Sequence, residues 1–144
     1  MQSGRVTLLD HGIWWQVYPL GATGAPIRPP VGQPVGEWPP THRLRRLDRW
    51  LDYVVELGCN GLLLGPVFAS VSHGYDTLDH FRIDPRLVDD ADFDHLVEQA
   101  RSRGISVLLD GVFNHVSRHH PGLTDHGAGI VARRDPRGEL VGWE

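Results

Sequence analysis

Two short stretches of the chain gather carboxylates, imidazoles and a phenol. The first is His73-Gly74-Tyr75-Asp76, with Asp79 and His80 just beyond it; the second is Asp110-Gly111-Val112-Phe113-Asn114-His115. Side chains of these types, brought to one face, favour a site over a uniformly solvated surface. Each also has a plainer role open to it. Asp110 follows an apolar run, so its carboxylate is half buried and needs donors to stay ionised, whether it serves a site or only ties neighbouring loops together. Asn114 and His115 could cap a following element or satisfy loop backbone groups. Tyr75 is either an ordinary loop aromatic or a stacking platform. The imidazoles His115, His119, His120 and His126 invite a zinc reading, but their spacing matches no familiar zinc motif. Arg43, Arg45, Arg46 and Arg49 read as a solvated helix face, paired in part with Asp48 and Asp52.

The elements that must carry these residues are read from apolar spacing. Gly12-Ile13-Trp14-Trp15-Gln16-Val17-Tyr18 is aromatic and β-branched and stops at Pro19, which suits a strand. Seven of the eleven prolines lie between Pro19 and Pro40, among several glycines, and this composition predicts a long loop without regular helix. Leu44, Leu47, Leu51, Val54 and Val55 recur at helical spacing between Thr41, a candidate N-cap, and Gly58, a candidate C′ residue. Gly61-Leu62-Leu63-Leu64-Gly65, ending at Pro66, reads as a strand buried on both faces. Phe93, Leu96, Val97 and Ala100 form a second helical stripe, with Asp90 or Asp92 as cap and Gly104 as stop. Ile105-Ser106-Val107-Leu108-Leu109 is another short buried strand. Apolar strands separated by amphipathic helices make parallel βαβ units, hence an α/β fold. Beyond Val116 the periodicity fades, and only Gly129-Ile130-Val131-Ala132 suggests a weak strand. In such folds ligands meet the carboxyl ends of the strands, and the loops after Tyr18, Leu64 and Leu109 hold the unusual polar residues, whereas Gly58-Cys59-Asn60 and Gly104, which enter the strands, are plain.

Composition narrows the classes. The 144 residues carry 14 basic and 18 acidic side chains, a formal charge of −4, which makes no electrostatic case for nucleic acid or an anionic membrane. No stretch approaches the ~20 apolar residues of a membrane span, and the start of the chain lacks a secretory apolar core, so a cytoplasmic protein is expected. Cys59 is the one cysteine, which excludes an intrachain disulfide and a cysteine-based zinc site. All basic residues are arginine.

Three pieces in order resemble the N-terminal part of the catalytic barrel of the α-amylase family of glycoside hydrolases. They are Gln16-Val17-Tyr18-Pro19; Leu64-Gly65-Pro66-Val67-Phe68 leading to His73-Gly74-Tyr75-Asp76, Asp79 and Asp84-Pro85-Arg86; and Asp110-Gly111-Val112-Phe113-Asn114-His115. The resemblance spans Gly12 to Arg118. It implies an α/β architecture made of the first three βα units of a TIM (β/α)8 barrel, with residues 1–118 in the barrel and 119–144 opening the long insertion after the third strand. By resemblance, Tyr75 stacks against the sugar where the bond is cut, Asp76 holds its loop, His115 hydrogen-bonds the same sugar, and Asp110 is a supporting carboxylate rather than the nucleophile. Asn114 stands where many members bind a structural calcium, a hard cation that takes oxygen ligands.

Retaining hydrolysis needs a nucleophilic carboxylate and an acid ~5–5.5 Å away, which the family draws from its fourth and fifth strands. The expectation is therefore a part of an enzyme that cleaves or transfers α-glucosidic bonds in α-glucans or α-glucosides, inactive alone, whose strand edges need the rest of a barrel or another chain to cover them. A different class is also open: a non-catalytic carbohydrate-binding or interaction protein on a partial barrel. A phosphate-binding barrel enzyme is disfavoured, because no Gly-rich turn leads into a helix N-terminus.

Overall fold

The structure is a computed structural model that describes residues 11–123 and 132–143. Its centre is a parallel sheet of three strands, β1 (Trp14–Val17), β2 (Gly61–Leu64) and β5 (Ser106–Leu109), in the order β1-β2-β5. Val17 lies opposite Leu64, and Leu64 opposite Leu109, so the three strands end at one level. Between β1 and β2 come the one-turn helix α1 (Pro19–Ala22), a 3-10 turn (Leu44–Leu47) and helix α2 (Asp48–Glu56). Between β2 and β5 come an antiparallel hairpin, β3 (Phe68–Ser70) with β4 (Thr77–Ile83), and helix α3 (Asp90–Ser102). After β5 follow a 3-10 turn (Pro121–Leu123) and a second antiparallel pair, β6 (Ala132–Arg134) with β7 (Leu140–Trp143).

The two helical stripes and the sheet share one core. Leu44, Leu47, Leu51 and Val54 meet Leu62 and Leu64 of β2, and Leu96, Ala100 and Ile105 close it from the second crossover. Burying each leucine contributes about 1.5–3 kcal/mol, which outweighs the weak intrinsic helicity of segments this short. Gly58, with φ +77°, and Gly104, with φ +74°, take the left-handed conformation just beyond α2 and α3.

Several expectations are corrected. The Pro-rich stretch does contain a helical turn, α1, because Pro19 stands in its first turn, where the missing N–H is not needed and the fixed φ is already helical. Thr41 caps nothing; its hydroxyl donates to Pro39 O at 3.2 Å, and the helical run opens instead as a 3-10 turn. The α3 cap is Asp89, not Asp90 or Asp92, and accepts from the Asp92 N–H at 3.1 Å. β5 is not a buried strand: among the described residues it pairs on one side only, and Leu108 is 48% exposed. Residues 68–83, expected as loop, form the β3–β4 hairpin, whose irregular register blurs the alternation that marks a strand. Of the weak strand expected at 129–132, residues 129–131 lie outside the described residues and Ala132 opens β6.

The arginine cluster is solvent-exposed at Arg45, Arg46 and Arg49, as expected, but its partners are not the expected Asp48 and Asp52. Arg45 Nε and His42 Nδ1 each lie 2.6 Å from the carboxylate of Asp92 on α3, Arg46 donates to Thr23 O and Arg43 to Arg86 O. Asp48 and Asp52 meet His95 and Arg103 of the second crossover instead of arginines of their own segment. These pairs clamp α2 and its preceding turn to α3, a tertiary choice that i,i+4 spacing does not predict.

Candidate active site

The site grows from the level at which the three parallel strands end. Gly65 N–H donates to Val17 O at 2.8 Å and Asp110 N–H to Leu64 O at 2.9 Å, so the ladder runs one residue past the strands and holds Asp110 at the sheet's carboxyl edge. From β2 the chain turns through Pro66 into the β3–β4 hairpin, whose loop leans back over that edge. Gly74 makes this possible: its φ is +95° and a Cβ there would sit 3.1 Å from Pro66 Cβ.

Four hydrogen bonds fix the hairpin loop. Tyr18 Oη donates to His73 O at 2.8 Å. Asp76 accepts from Ser72 N–H at 3.0 Å and Ser72 Oγ at 2.6 Å, so its carboxylate closes the loop on itself. Tyr75 Oη donates to Asp110 Oδ2 at 3.2 Å, joining the loop to the end of the third parallel strand. Partial burial raises the phenol of Tyr18 above its ordinary value, opposed by the Arg86 charge. Tyr75 is raised as well, by desolvation first and then by the carboxylate it bonds.

Beneath this loop lies a buried ion pair. Arg86 is 0% exposed and Asp84 1%. Arg86 Nη2 meets Asp84 Oδ2 at 2.6 Å and Ser70 Oγ at 2.7 Å; Nη1 donates to Pro26 O and Ser72 O; and the guanidinium lies 4.3 Å from the Trp38 ring centroid. One side chain thus ties the Pro-rich loop, β3 and the Tyr75 loop together, with every nitrogen of its planar fork used. Sequence reading met Arg86 only as part of Asp84-Pro85-Arg86, because nothing in spacing announces a guanidinium that three distant carbonyl and hydroxyl groups converge on.

The structure therefore joins Tyr75 to Asp110 and engages Asp76 with Ser72. Asn114 and His115 lie exposed on the following loop, and among the described residues no hydrogen bond links either side chain to that group. The site is an open face: cavities of about 400 and 610 Å³ lie around Pro40, Ile83 and Val88 and around Trp38, Leu78 and His119, and neither is lined by Tyr75 or Asp110. Among the described residues no three His, Cys, Asp or Glu side chains are placed to hold a metal ion. The histidines read for zinc do not cluster, and His126 lies outside the described residues. Asn114 offers a single exposed amide oxygen, whereas calcium takes six to eight oxygens, so these residues alone do not form a calcium site. Among the described residues no helix is long and apolar enough to cross a membrane.

Comparison with known proteins gives a uniform result. Residues 44–134 match the family model of the alpha amylase catalytic domain. The chain is 38% identical to the intracellular maltogenic amylase of Bacillus subtilis strain 168, a match covering 78% of this chain and 21% of that protein. It is 39% identical to a cyclomaltodextrinase of Geobacillus thermopakistaniensis, over 72% of this chain and 19% of the relative. Among solved structures, the cyclic alpha-maltosyl-(1→6)-maltose hydrolase of Arthrobacter globiformis superposes with a TM-score of 0.65 at 33% identity, covering 82% of this chain and 29% of that one. The chain thus spans about a fifth of the length of the curated relatives it matches.

Proposed function

Because the chain belongs to the α-amylase family of glycoside hydrolases, we propose that it supplies the first three βα units of a TIM barrel that cleaves or transfers α-glucosidic bonds with retention. Residues 1–118 are assigned to the barrel and 119–144 to the start of the insertion after its third strand. The observation that carries this reading is the bond between Tyr75, on the hairpin loop after β2, and Asp110, at the end of β5. It places a half-exposed ring and a carboxylate together at the carboxyl edge of a parallel sheet, where barrel enzymes keep their chemistry.

In this reading the Tyr75 ring stacks on the glucosyl unit at the scissile bond, and Asp76, by closing its loop on Ser72, sets the height of that ring. His115 hydrogen-bonds the same sugar. Asp110 is not the nucleophile: it accepts from Tyr75 and orients neighbouring groups, while the nucleophile and the acid–base carboxylate come from strands outside these 144 residues. Retention then follows from double displacement, the nucleophile forming a glycosyl-enzyme that water or a second sugar resolves. The substrate class is α-glucan or α-glucoside, in keeping with the names of the maltogenic amylase and the cyclomaltodextrinase. A cytoplasmic site of action is proposed from the relative whose name calls it intracellular.

The test compares the native gene product with the purified 144-residue chain on a nitrophenyl α-glucoside. Turnover by the native product, lost in Asp110→Asn, with none from the short chain, is expected. Turnover by the short chain, abolished in Asp110→Asn, overturns the assignment of the nucleophile and acid elsewhere.

A second reading is favoured by one feature, the strands β1 and β5, each paired on one side only among the described residues. Such edges must be covered, and self-association would serve a non-catalytic carbohydrate-binding protein as well as the rest of a barrel serves an enzyme. Light scattering separates the two: a defined oligomer of the short chain that binds maltose supports binding, and aggregated material supports the barrel part.

A further inference from the structure

We propose that His80 is the positioning residue that holds the loop carrying His115, a role that rests on the sugar-binding assignment of His115 above. His80 lies on β4, opposite the loop that leaves β5. Its Nε2 is 2.8 Å from Val112 O. A carbonyl only accepts, so Nε2 carries the proton. The imidazole also stacks on Phe113, with ring centroids 5.7 Å apart and planes at 21°. Phe113 in turn folds back over Gly111, where a Cβ would stand 2.3 Å from the ring. Glycine next to Asp110 is what lets that ring lie there.

The loop meets β4 a second time. Ser117 N–H donates to Thr77 O at 3.0 Å. The segment Phe113–Val116 is therefore suspended between two ties to one strand, a backbone bond at its far end and the His80 side chain at its near end. Within it Phe113, Asn114 and His115 are exposed, so packing does little to hold them and the two ties decide where His115 stands. The His120 ring, 5.8 Å from His80, closes the cluster on the side of the following turn.

Two substitutions separate the bond from the ring. His80→Phe keeps an aromatic for Phe113 to stack on but has no donor for Val112 O; His80→Gln places an amide N–H at nearly the reach of Nε2. Hydrogen exchange on the full native chain is the readout, with the nitrogen shifts of the His80 ring as a second. The expected result is exchange of the Ser117 amide, which is bonded to Thr77 O, about five- to tenfold faster in His80→Phe, restored to within about twofold by His80→Gln, with β3–β4 amides unchanged and the wild-type ring carrying its proton on Nε2. Equal exchange in His80→Phe and wild type, loss of β3–β4 protection in both variants, or a ring protonated on Nδ1 instead of Nε2 overturns the proposal. Maltotriose titration monitored at His115 is read separately: no response in a wild-type chain that passes the exchange test counts against the sugar-binding assignment and leaves the positioning intact.

Discussion

The Tyr75 hydroxyl donates to Asp110 Oδ2 at 3.2 Å, across 35 residues of sequence, and so links the loop after the second parallel strand to the end of the third. The ring stays 40% exposed while its hydroxyl is held. That combination suits a platform that must keep a fixed angle and an open face.

Replacing Tyr75 separates ring from hydroxyl. In the native gene product, Tyr75→Phe is expected to weaken maltooligosaccharide binding about threefold, through a less well held ring, and Tyr75→Ala tenfold or more, through loss of roughly 1.5–3 kcal/mol of aromatic burial. Calorimetric titration checks both. Equal losses in the two variants would show that the ring does not touch the sugar.

The same pair sets an alkaline signature. Tyr75 titrates above 10.0, from desolvation and from the Asp110 charge. A raised folded value means that the folded state binds the proton more tightly, so this group's contribution to stability is complete below pH 10 and is lost as pH climbs through the folded value. Phenolate absorbance should show a late-titrating tyrosine that moves toward 10.0 in Asp110→Asn.

Arg86 and Asp84 form a buried pair, and removing one partner strands the other. Arg86→Met is expected to cost about 3–5 kcal/mol in denaturant unfolding. Arg86→Met with Asp84→Leu should cost less than the two single changes summed, because neither charge is then left alone. Strict additivity would sink the view that the two act as a unit.

Asp92 sets part of the acid limit. Burial alone would raise its carboxyl, but hydrogen bonds from Arg45 and His42, and their charges, bring it below 3.8. A lowered folded value gives stability that is present above pH 3.8 and lost as pH falls through the folded value. Asp92→Asn should flatten that acid limb and cost about 1–2 kcal/mol at neutral pH, a modest figure because the His42 and Arg45 side chains are exposed and can rehydrate. Thermal melts between pH 3 and 7 check it.

Val88 is a buried β-branched residue at φ +97°, a conformation that suits glycine. Val88→Gly gives up packing but releases about 1–3 kcal/mol of backbone strain. It should therefore destabilise less than Val54→Gly, where an equally buried valine sits unstrained in α2. Chemical denaturation of both variants measures the difference.

The apolar spacing of Leu44 through Val54, the run Leu62-Leu63-Leu64 and the glycines at 58 and 104 determined by themselves that the chain would make helices and parallel strands. Helix and strand periods are local properties, and burial of one stripe rewards them wherever the chain goes. The order of motifs from Gln16 to His115 likewise marked the family and the strand ends at which polar residues collect. What the tertiary structure alone decided was who meets whom. Tyr75 and Asp110, Arg86 and Ser70, His80 and Val112, Arg45 and Asp92 are separated by 16 to 47 residues. The first three meetings depend on the hairpin β3–β4 folding back over the sheet, and the fourth on α3 packing against the turn before α2. That hairpin was illegible because its bulged register erases the alternation a strand leaves in sequence, and because a buried charge such as Arg86 is stable only when distant backbone oxygens converge on it.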